Sequence, residues 1–261
     1  MLIDTHCHLD AVEFDADRDA LVEAARSAGV TTLVVPAVDV GNFEAVRACS
    51  LSYRGVLPAY GIHPLCVDRA RESDLRVLEE TLSRSAATPI PAVAVGEIGL
   101  DFYFDGADAA RQEFFFVEQL KIAREFDLPV LLHVRRAVDA VLKCLRRVRV
   151  RSGIAHAFNG SRQQAEAFIG MGFALGFGGA MTYPRSTRIR ELAASLPLEN
   201  LVLESDAPDI PPVWLAGSRN TPAQVFRFAE ELAGLRALPV EEIVRATTEN
   251  ARRILSAHRL G

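Results

Sequence analysis

This sequence has no excess of positive charge. It contains 29 basic residues against 34 acidic ones, which gives a formal net charge of −5 at pH 7. This balance argues against a basic surface that wraps nucleic acid through many phosphate contacts. An anionic substrate would instead need local positive charge, from a few arginines or from bound cations.

The sequence also contains little that is typical of a disulfide framework, a secretory leader or a membrane span. The four cysteines form no CxxC pair, so we expect free thiols in a reducing compartment. Strand-like sequence begins at residue 2, where a secretory leader would need a basic segment and then an apolar one. The apolar runs are too short to cross a bilayer. We therefore expect a cytoplasmic protein with no membrane partner, and the sequence leaves its oligomeric state open.

Short apolar runs alternate with helical patterns along nearly the whole chain. Most of the runs are too short and too rich in β-branched residues to be buried helices. They are LIDTHC (2–7), TTLVVPAV (31–38), VLPAYGI (56–62), AVAVGEI (92–98), PVLLHV (129–134), GIAHAF (153–158), FALGFGG (173–179) and NLVLESD (200–206).

Eight strands, each followed by a helix, predict an α/β fold of the (β/α)8 TIM barrel type with extra C-terminal helices. We expect one domain over residues 1–261, because no linker or repeat divides the chain. The structural alternative is a doubly wound open sheet. That fold would carry a glycine-rich phosphate turn after the first strand, where this chain has HCHLD.

Capping residues predict several helix boundaries. Gly29 follows an amphipathic stretch and is expected at the C′ position of that helix. Ser161 and Gln164 form a capping-box pattern before AEAFIGMG. The dipeptide TP (221–222) predicts the start of a helix that Gly234 closes. The two terminal helices are therefore expected at roughly 221–233 and 240–256.

Histidine and acidic residues lie where the predicted strands end. In barrels of this type the active site lies at the C-terminal ends of the strands. Five of the six histidines are at such positions, and His258, in the tail, is not. The polar residues at the strand ends are His6, His8, His63, Glu97, His133, His156 and Asp206.

Alternation along the strands predicts that these side chains share the inner face of the barrel. His6 and His8 share a face, whereas Cys7 points toward the helices. By the same spacing Glu97 shares a face with Val93 and Val95. The other predicted same-face sets are Leu131 with His133, Ile154 with His156, and Val202 with Glu204 and Asp206.

Bound divalent cations would compensate the cost of burying so many polar groups together. Imidazole and carboxylate ligands suit Zn²⁺, Mn²⁺ or related ions such as Mg²⁺. Six candidate ligands exceed the needs of one tetrahedral ion, so two ions bridged by Glu97 fit the count best. The candidate metal ligands are His6, His8, Glu97, His133, His156 and Asp206.

Several neighbouring residues have less certain parts in this centre. His63 can contact substrate, support a ligand or be purely structural. Asp4 and Glu204 lie one layer below the ligands, where orienting a ligand is more natural than binding metal. We expect no functional role for Cys66 and Cys144.

The motifs that carry these residues resemble the TatD family of metal-dependent hydrolases and deoxyribonucleases, within the amidohydrolase-like barrels. LIDTHCHLD (2–10), PVLLHVRRAVD (129–139) and LVLESDAPD (201–209) resemble the three signatures of the family. Shorter blocks follow in the expected order, so the resemblance spans nearly the whole chain. Departures at Val134, Ala157 and Ser205 touch none of the candidate ligands.

The resemblance implies a two-metal hydrolase. One ion would be held by His6, His8, Glu97 and Asp206, and the other by Glu97, His133 and His156. Many related barrels bridge their metals with a carbamylated lysine. The only lysines here, Lys121 and Lys143, lie in helical segments, which favours a bridging glutamate.

The implied mechanism is attack by metal-bound hydroxide, with Asp206 accepting the proton and Glu97 bridging the metals. His63 and Arg135 are candidate phosphate contacts, although Arg135 can also be a surface ion-pair residue. With an acidic chain, we expect DNA ends, single strands or small phosphodiesters as substrates. The aromatic stretch FYF (102–104) can stack a base, but we expect it to pack a loop.

Two other functions stay open at this stage. The same ligands would serve a hydrolase of C–N or carboxylic ester bonds in small molecules. A catalytically silent barrel that acts as a binding partner is the third reading.

Overall fold

Eight parallel strands form one sheet, in which each strand pairs with the next along the chain. The computed structural model describes residues 1–104, 106 and 108–255, and His258 lies outside the described residues. The strands are Leu2–Asp4 (β1), Val30–Pro36 (β2), Val56–Tyr60 (β3), Ala94–Asp101 (β4), Val130–Arg135 (β5), Gly153–Ala155 (β6), Phe173–Phe177 (β7) and Leu201–Leu203 (β8).

Helices follow the strands and cover the outside of the sheet. Within the described residues they are Arg18–Ser27 (α1), Phe43–Ser52 (α2), Ser73–Ala86 (α3), Ala109–Glu125 (α4), Val138–Arg147 (α5), Arg162–Gly170 (α6), Thr187–Ser195 (α7), Val225–Arg236 (α8) and Val240–Leu255 (α9). In α5, Val141, Leu142 and Leu145 are buried against the sheet, and Lys143 and Arg146 face outward. This helical spacing of apolar residues fixes the face that packs.

Backbone hydrogen bonds connect the first and last strands. The amide of Thr5 donates to the carbonyl of Leu203 at 3.1 Å, and the amide of Asp206 donates to the carbonyl of His6 at 2.8 Å. The sheet is thereby nearly closed, and the predicted TIM barrel is confirmed. The C-terminal ends of all eight strands meet at one mouth.

Helix α9 closes the opposite end of the barrel. Its Asn250 side chain donates to the carbonyls of Leu198 and Leu201, and Thr248 donates to the carbonyl of Met1. The inward-facing apolar layer also includes residues of this helix: Ile3, Val34, Leu57, Val93, Leu131, Ile154, Ala174, Val202, Ala251, Ile254 and Leu255. The N-terminal end is therefore filled with apolar side chains, which leaves the C-terminal mouth for chemistry.

Strand β4 departs from the simple alternation that the sequence suggested. It runs to Asp101 rather than ending at residue 98, and its pairing with β5 shifts register between Val95 and Ile98. Val95 packs in the core between strands and helices, whereas Glu97 faces the inside of the barrel. The prediction that Val95 and Glu97 share a face is therefore wrong, because the irregular register breaks the period of two.

Two of the predicted helix ends are confirmed. Ser161 and Gln164 form the complete capping box of α6. Gly29 follows the end of α1 with φ +84°, in the left-handed region that glycine adopts at no steric cost.

The predicted helical start at Thr221 and Pro222 is confirmed, because Thr221 is the N-cap of the turn that leads into α8, but the predicted end of α8 is wrong. Residues Pro222–Gln224 form a 3₁₀ turn before the helix begins at Val225. Gly234 lies inside the helix, which continues to Arg236 and ends where Ala237 adopts the left-handed conformation. Across the residues that the structure describes, no helix combines the length and apolar character that spanning a bilayer requires.

Candidate metal centre

Seven polar side chains from six strand ends meet at the barrel mouth. Glu97 lies at their centre and is 2% exposed. Around it are His6, His8, His63, His133, His156 and Asp206. Every candidate metal ligand that the sequence pointed to is therefore brought to one place.

One oxygen of Glu97 faces the residues that follow β1. Its Oε2 atom is 3.1 Å from His6 Nε2 and 3.6 Å from His8 Nε2. The Oδ1 atom of Asp206 is 3.7 Å from each of the same two nitrogens. Two imidazole nitrogens and two carboxylate oxygens thus surround one point.

The other oxygen of Glu97 faces a second set of imidazoles. Its Oε1 atom is 2.9 Å from His133 Nδ1, 3.4 Å from His156 Nε2 and 3.5 Å from His63 Nε2. In three triads of these residues, the possible ligand atoms all lie within 4.8 Å of one another. The two oxygens of one buried carboxylate therefore address two separate groups of ligands.

Two further carboxylates hold the histidines of the second group from behind. Asp101 Oδ2 is 3.0 Å from His133 Nε2, and Glu204 Oε1 is 3.2 Å from His156 Nδ1. A carboxylate on the outer ring nitrogen fixes the tautomer and the orientation of a metal-binding imidazole. Glu204 thus has the orienting position that its place below the ligands suggested.

Asp101 is the residue of this centre that the sequence reasoning missed. It is fully buried, and its Oδ1 atom accepts a hydrogen bond from the amide of Tyr103. The signal was available, because Asp101 follows Glu97 by an even number of residues on one strand. The apolar run that predicts this strand ends at residue 98, before Asp101.

Asp4 acts on the backbone rather than on a ligand side chain. Its Oδ1 atom accepts from the amides of His6 and Ser205, at 3.2 and 2.8 Å. These two bonds tie the segments that carry the ligands of β1 and β8. Burial raises the pKa of Asp4 to about 8.

Asp206 stands in a left-handed backbone conformation, with φ +57°. The segment around it is held by Asn220, whose side chain donates to the carbonyl of Ser205 at 2.6 Å. Aspartate and asparagine tolerate this conformation better than most residues. The turn directs the Asp206 carboxylate toward His6 and His8.

His63 is oriented as a donor. Its Nδ1 atom accepts a hydrogen bond from the amide of Leu65 at 3.1 Å, so a neutral ring carries its proton on Nε2. Burial lowers the pKa of His63, which favours the neutral form. The Nε2–H group faces Glu97, whose Oε1 atom is 3.5 Å away.

The electrostatics of the centre are those of a cation site. Burial opposes ionisation of Glu97, but the surrounding imidazoles, His6 first among them, hold its pKa well below the usual range. Burial likewise lowers the pKa of His156, yet Asp206, Glu204 and Glu97 outweigh it and raise that pKa to about 10. The buried carboxylates therefore need positive charge nearby to compensate their own. The donor set of imidazoles and carboxylates fits divalent metal ions.

Arg135 lies at the edge of the mouth, as the last residue of β5. Its Nη1 atom is 3.9 Å from Asp101 Oδ2, and its guanidinium lies over the ring of Tyr103 at 3.6 Å. Phe102 packs against the core, as we expected for the stretch 102–104. Tyr103 and Phe104 are 42% and 50% exposed, so for them the expectation of packing is wrong.

The lysines and cysteines take no part in this centre. Lys121 lies on α4, where it pairs with Glu118, and Lys143 lies on α5. Neither reaches the mouth, where Glu97 occupies the central position. Cys7 packs in the core between the strands and the helices, as alternation predicted.

Comparison with known proteins gives a consistent result. Residues 3–256 match the family model described as TatD related DNase. The uncharacterized metal-dependent hydrolase YjjV of Escherichia coli K12 is 42% identical over 249 residues, 95% of either chain. Its crystal structure superposes with a TM-score of 0.93 over 97% of both chains. Human deoxyribonuclease TATDN3 is 33% identical over 258 residues, 96% of this chain and 93% of its own.

Proposed function

Because the chain belongs to the TatD family of metal-dependent hydrolases, we propose that it cleaves phosphodiester bonds of DNA at a centre that holds two divalent ions. The observation that carries the proposal is the position of Glu97. Its two carboxylate oxygens face two different groups of imidazoles. A carboxylate that served only a structural ion pair would not need both of its oxygens to face imidazoles.

Each proposed ion position takes its ligands from one of the two groups that face the oxygens of Glu97. His6, His8 and Asp206 would hold the first ion together with Oε2 of Glu97. His133 and His156 would hold the second with Oε1. Imidazole-rich ligation favours Zn²⁺ or Mn²⁺ over Mg²⁺, which prefers oxygen ligands and retains its water.

Bound there, the ions would polarise the phosphate and lower the pKa of water toward neutrality. The residues of the chain supply the remaining functions. Asp206 accepts the proton of the attacking water at its carboxylate and orients that water. His63, through its Nε2–H, and Arg135, through its guanidinium, contact the phosphate oxygens. Glu204 and Asp101 keep His156 and His133 in position.

The form of the substrate follows from the shape and charge of the mouth. The chain has a net charge of −5, which argues against a basic groove that would grip a long duplex. A strand end can enter the mouth and meet the ions and Arg135 with few phosphate contacts. We therefore propose single-stranded ends of DNA as the preferred substrate.

We expect the protein, loaded with Mn²⁺ or Zn²⁺, to cleave an end-labelled single-stranded oligonucleotide about tenfold or more faster than the same strand in a blunt duplex. Opening one terminal step of a duplex costs about 1.4 kcal/mol, which corresponds to a factor of about ten. The measurement compares kcat/KM for the two substrates at 0.15 M salt.

The His133→Ala variant, purified in parallel, should be inactive on both strands and so excludes a contaminating nuclease. Preference for internal sites of the duplex would contradict the proposed substrate form. Hydrolysis of amides or lactones, with DNA left intact, would favour the small-molecule alternative. A protein that hydrolyses neither DNA nor amides nor lactones would favour the catalytically silent barrel that acts as a binding partner.

We also expect metal to raise the melting temperature of the metal-free protein by about 5–10 °C when the ion is at 100 times its dissociation constant. Binding at that excess stabilises the native state by about 2.7 kcal/mol, and a chain of this size gains about 2–4 °C per kcal/mol. Calorimetry with and without chelator measures the shift. A variant with both His133 and His156 replaced by alanine should lose much of it, and an unchanged shift in that variant would contradict the second ion position.

A further inference from the structure

Two aromatic side chains beside the barrel mouth are partly exposed to solvent. Tyr103 and Phe104 follow β4, and they are 42% and 50% exposed. Their ring centroids are 5.2 Å apart and their planes meet at 87°. Exposed aromatic surface is costly in water, so two adjacent exposed rings at the mouth of a candidate site indicate a binding surface.

Two arginines bring positive charge to the same rings. The guanidinium carbon of Arg135 is 3.6 Å from the centroid of Tyr103 and 5.5 Å from that of Phe104. The guanidinium carbon of Arg136 is 4.6 Å from Tyr103. Cation–π contact holds the guanidinium groups over the rings while their N–H groups can still donate to an anion.

One buried carboxylate joins this surface to the metal centre. Asp101 accepts from the amide of Tyr103 at 2.8 Å, and its other oxygen is 3.0 Å from His133. The same oxygen is 3.9 Å from Arg135. The aromatic and arginine side chains are thus separated from a candidate metal ligand by a single residue.

We propose that Tyr103, Phe104, Arg135 and Arg136 form a subsite that binds one unpaired base and its neighbouring phosphate in a single-stranded nucleic acid. The proposal rests on the proposed function and gives it a physical basis for strand preference. Bases stack on aromatic rings and on guanidinium planes, and the arginines contact phosphate. A base inside a duplex has both faces covered by its neighbours, so it cannot use this surface.

The test measures binding separately from cleavage. An Asp206→Asn background keeps DNA intact while fluorescence anisotropy follows a labelled oligothymidylate and the same strand with abasic residues at its end. Phe104→Ala and Tyr103→Ala are each expected to weaken binding of the oligothymidylate by roughly 5- to 150-fold, since one stacked base contributes about that factor. Phe104→Trp should bind at least as tightly as the parent.

The abasic strand provides the decisive comparison. It should bind more weakly than oligothymidylate to the parent, and Phe104→Ala should leave its affinity unchanged. Phe226→Ala is the matched control, because that phenylalanine is also exposed but lies beside Met1 at the far end of the barrel. It should bind both strands as the parent does.

The outcomes separate this subsite from the proposed function. If the parent binds the two strands equally and both alanine variants bind like the parent, the subsite is overturned, whether or not the wild-type protein cleaves DNA. If the wild-type protein cleaves neither strand, the proposed function fails. Base-dependent binding that Phe104→Ala abolishes would still support the subsite in that case.

Discussion

Glu97→Gln is expected to reduce the bound metal from two ions per chain to one or none and to lower kcat/KM by about 10³-fold or more. The amide offers one acceptor oxygen where the carboxylate offers two, so it cannot face both groups of imidazoles. Loss of ion contacts with the transition state costs several kcal/mol, and each 1.36 kcal/mol is about a factor of ten. Mass spectrometry of the metal content and end-labelled DNA cleavage measure the two effects.

Glu80→Gln is the matched control for this substitution. Glu80 is exposed on α3, outside the barrel mouth, so the same chemical change there should alter neither metal content nor activity. A Glu97→Gln protein that retained two ions and wild-type kcat/KM would refute the bridging position. Loss of activity with both ions retained would mean that Glu97 acts on the substrate instead.

The surroundings of Glu97 favour a metal centre over a structural ion-pair network. Ion pairs buried away from water return little net stability, because desolvation of both partners offsets their attraction. Here one carboxylate lies among five imidazoles, and His6 and His156 stack with ring centroids 3.9 Å apart. If these rings were protonated, their charges would repel at that distance. Neutral rings around divalent ions remove the conflict.

Most of the candidate centre could be predicted from the sequence, because strand ends are local features. His133 and His156 each follow an inward apolar residue by two positions, and the structure places both at the mouth. Asp206 lies after β8, and its carboxylate also points into the mouth. Short apolar runs that each end in a histidine or a carboxylate were enough to locate these residues.

The remaining features depend on tertiary pairing that no local pattern contains. The register shift in β4 turns Val95 outward and Glu97 inward, and it arises from pairing with β5. Asp101 was missed because the strand continues along its neighbour beyond the end of the apolar run. The exposure of Phe104 likewise depends on how the loop leaves the barrel. The predicted end of α8 is wrong because the helix passes through Gly234 and ends where Ala237, a residue with no turn signal, adopts the left-handed conformation.

Asp206→Asn is expected to lower kcat for DNA cleavage by about 10²- to 10⁴-fold, the usual contribution of a general base. Asparagine adopts the left-handed conformation that Asp206 occupies at φ +57°, so the turn should persist. His6, His8 and Glu97 remain to hold the first ion when metal is saturating. Single-turnover cleavage and metal content, measured on the same preparation, separate a chemical defect from loss of the ion.

Asp127→Asn is the matched control for this prediction, because Asp127 has φ +51° and lies on the surface beside Arg151. That variant should cleave DNA at the wild-type rate, which would show that the change from aspartate to asparagine in a left-handed turn is harmless in itself. If Asp206→Asn retained both ions and came within threefold of the wild-type kcat, Asp206 would not be the proton acceptor.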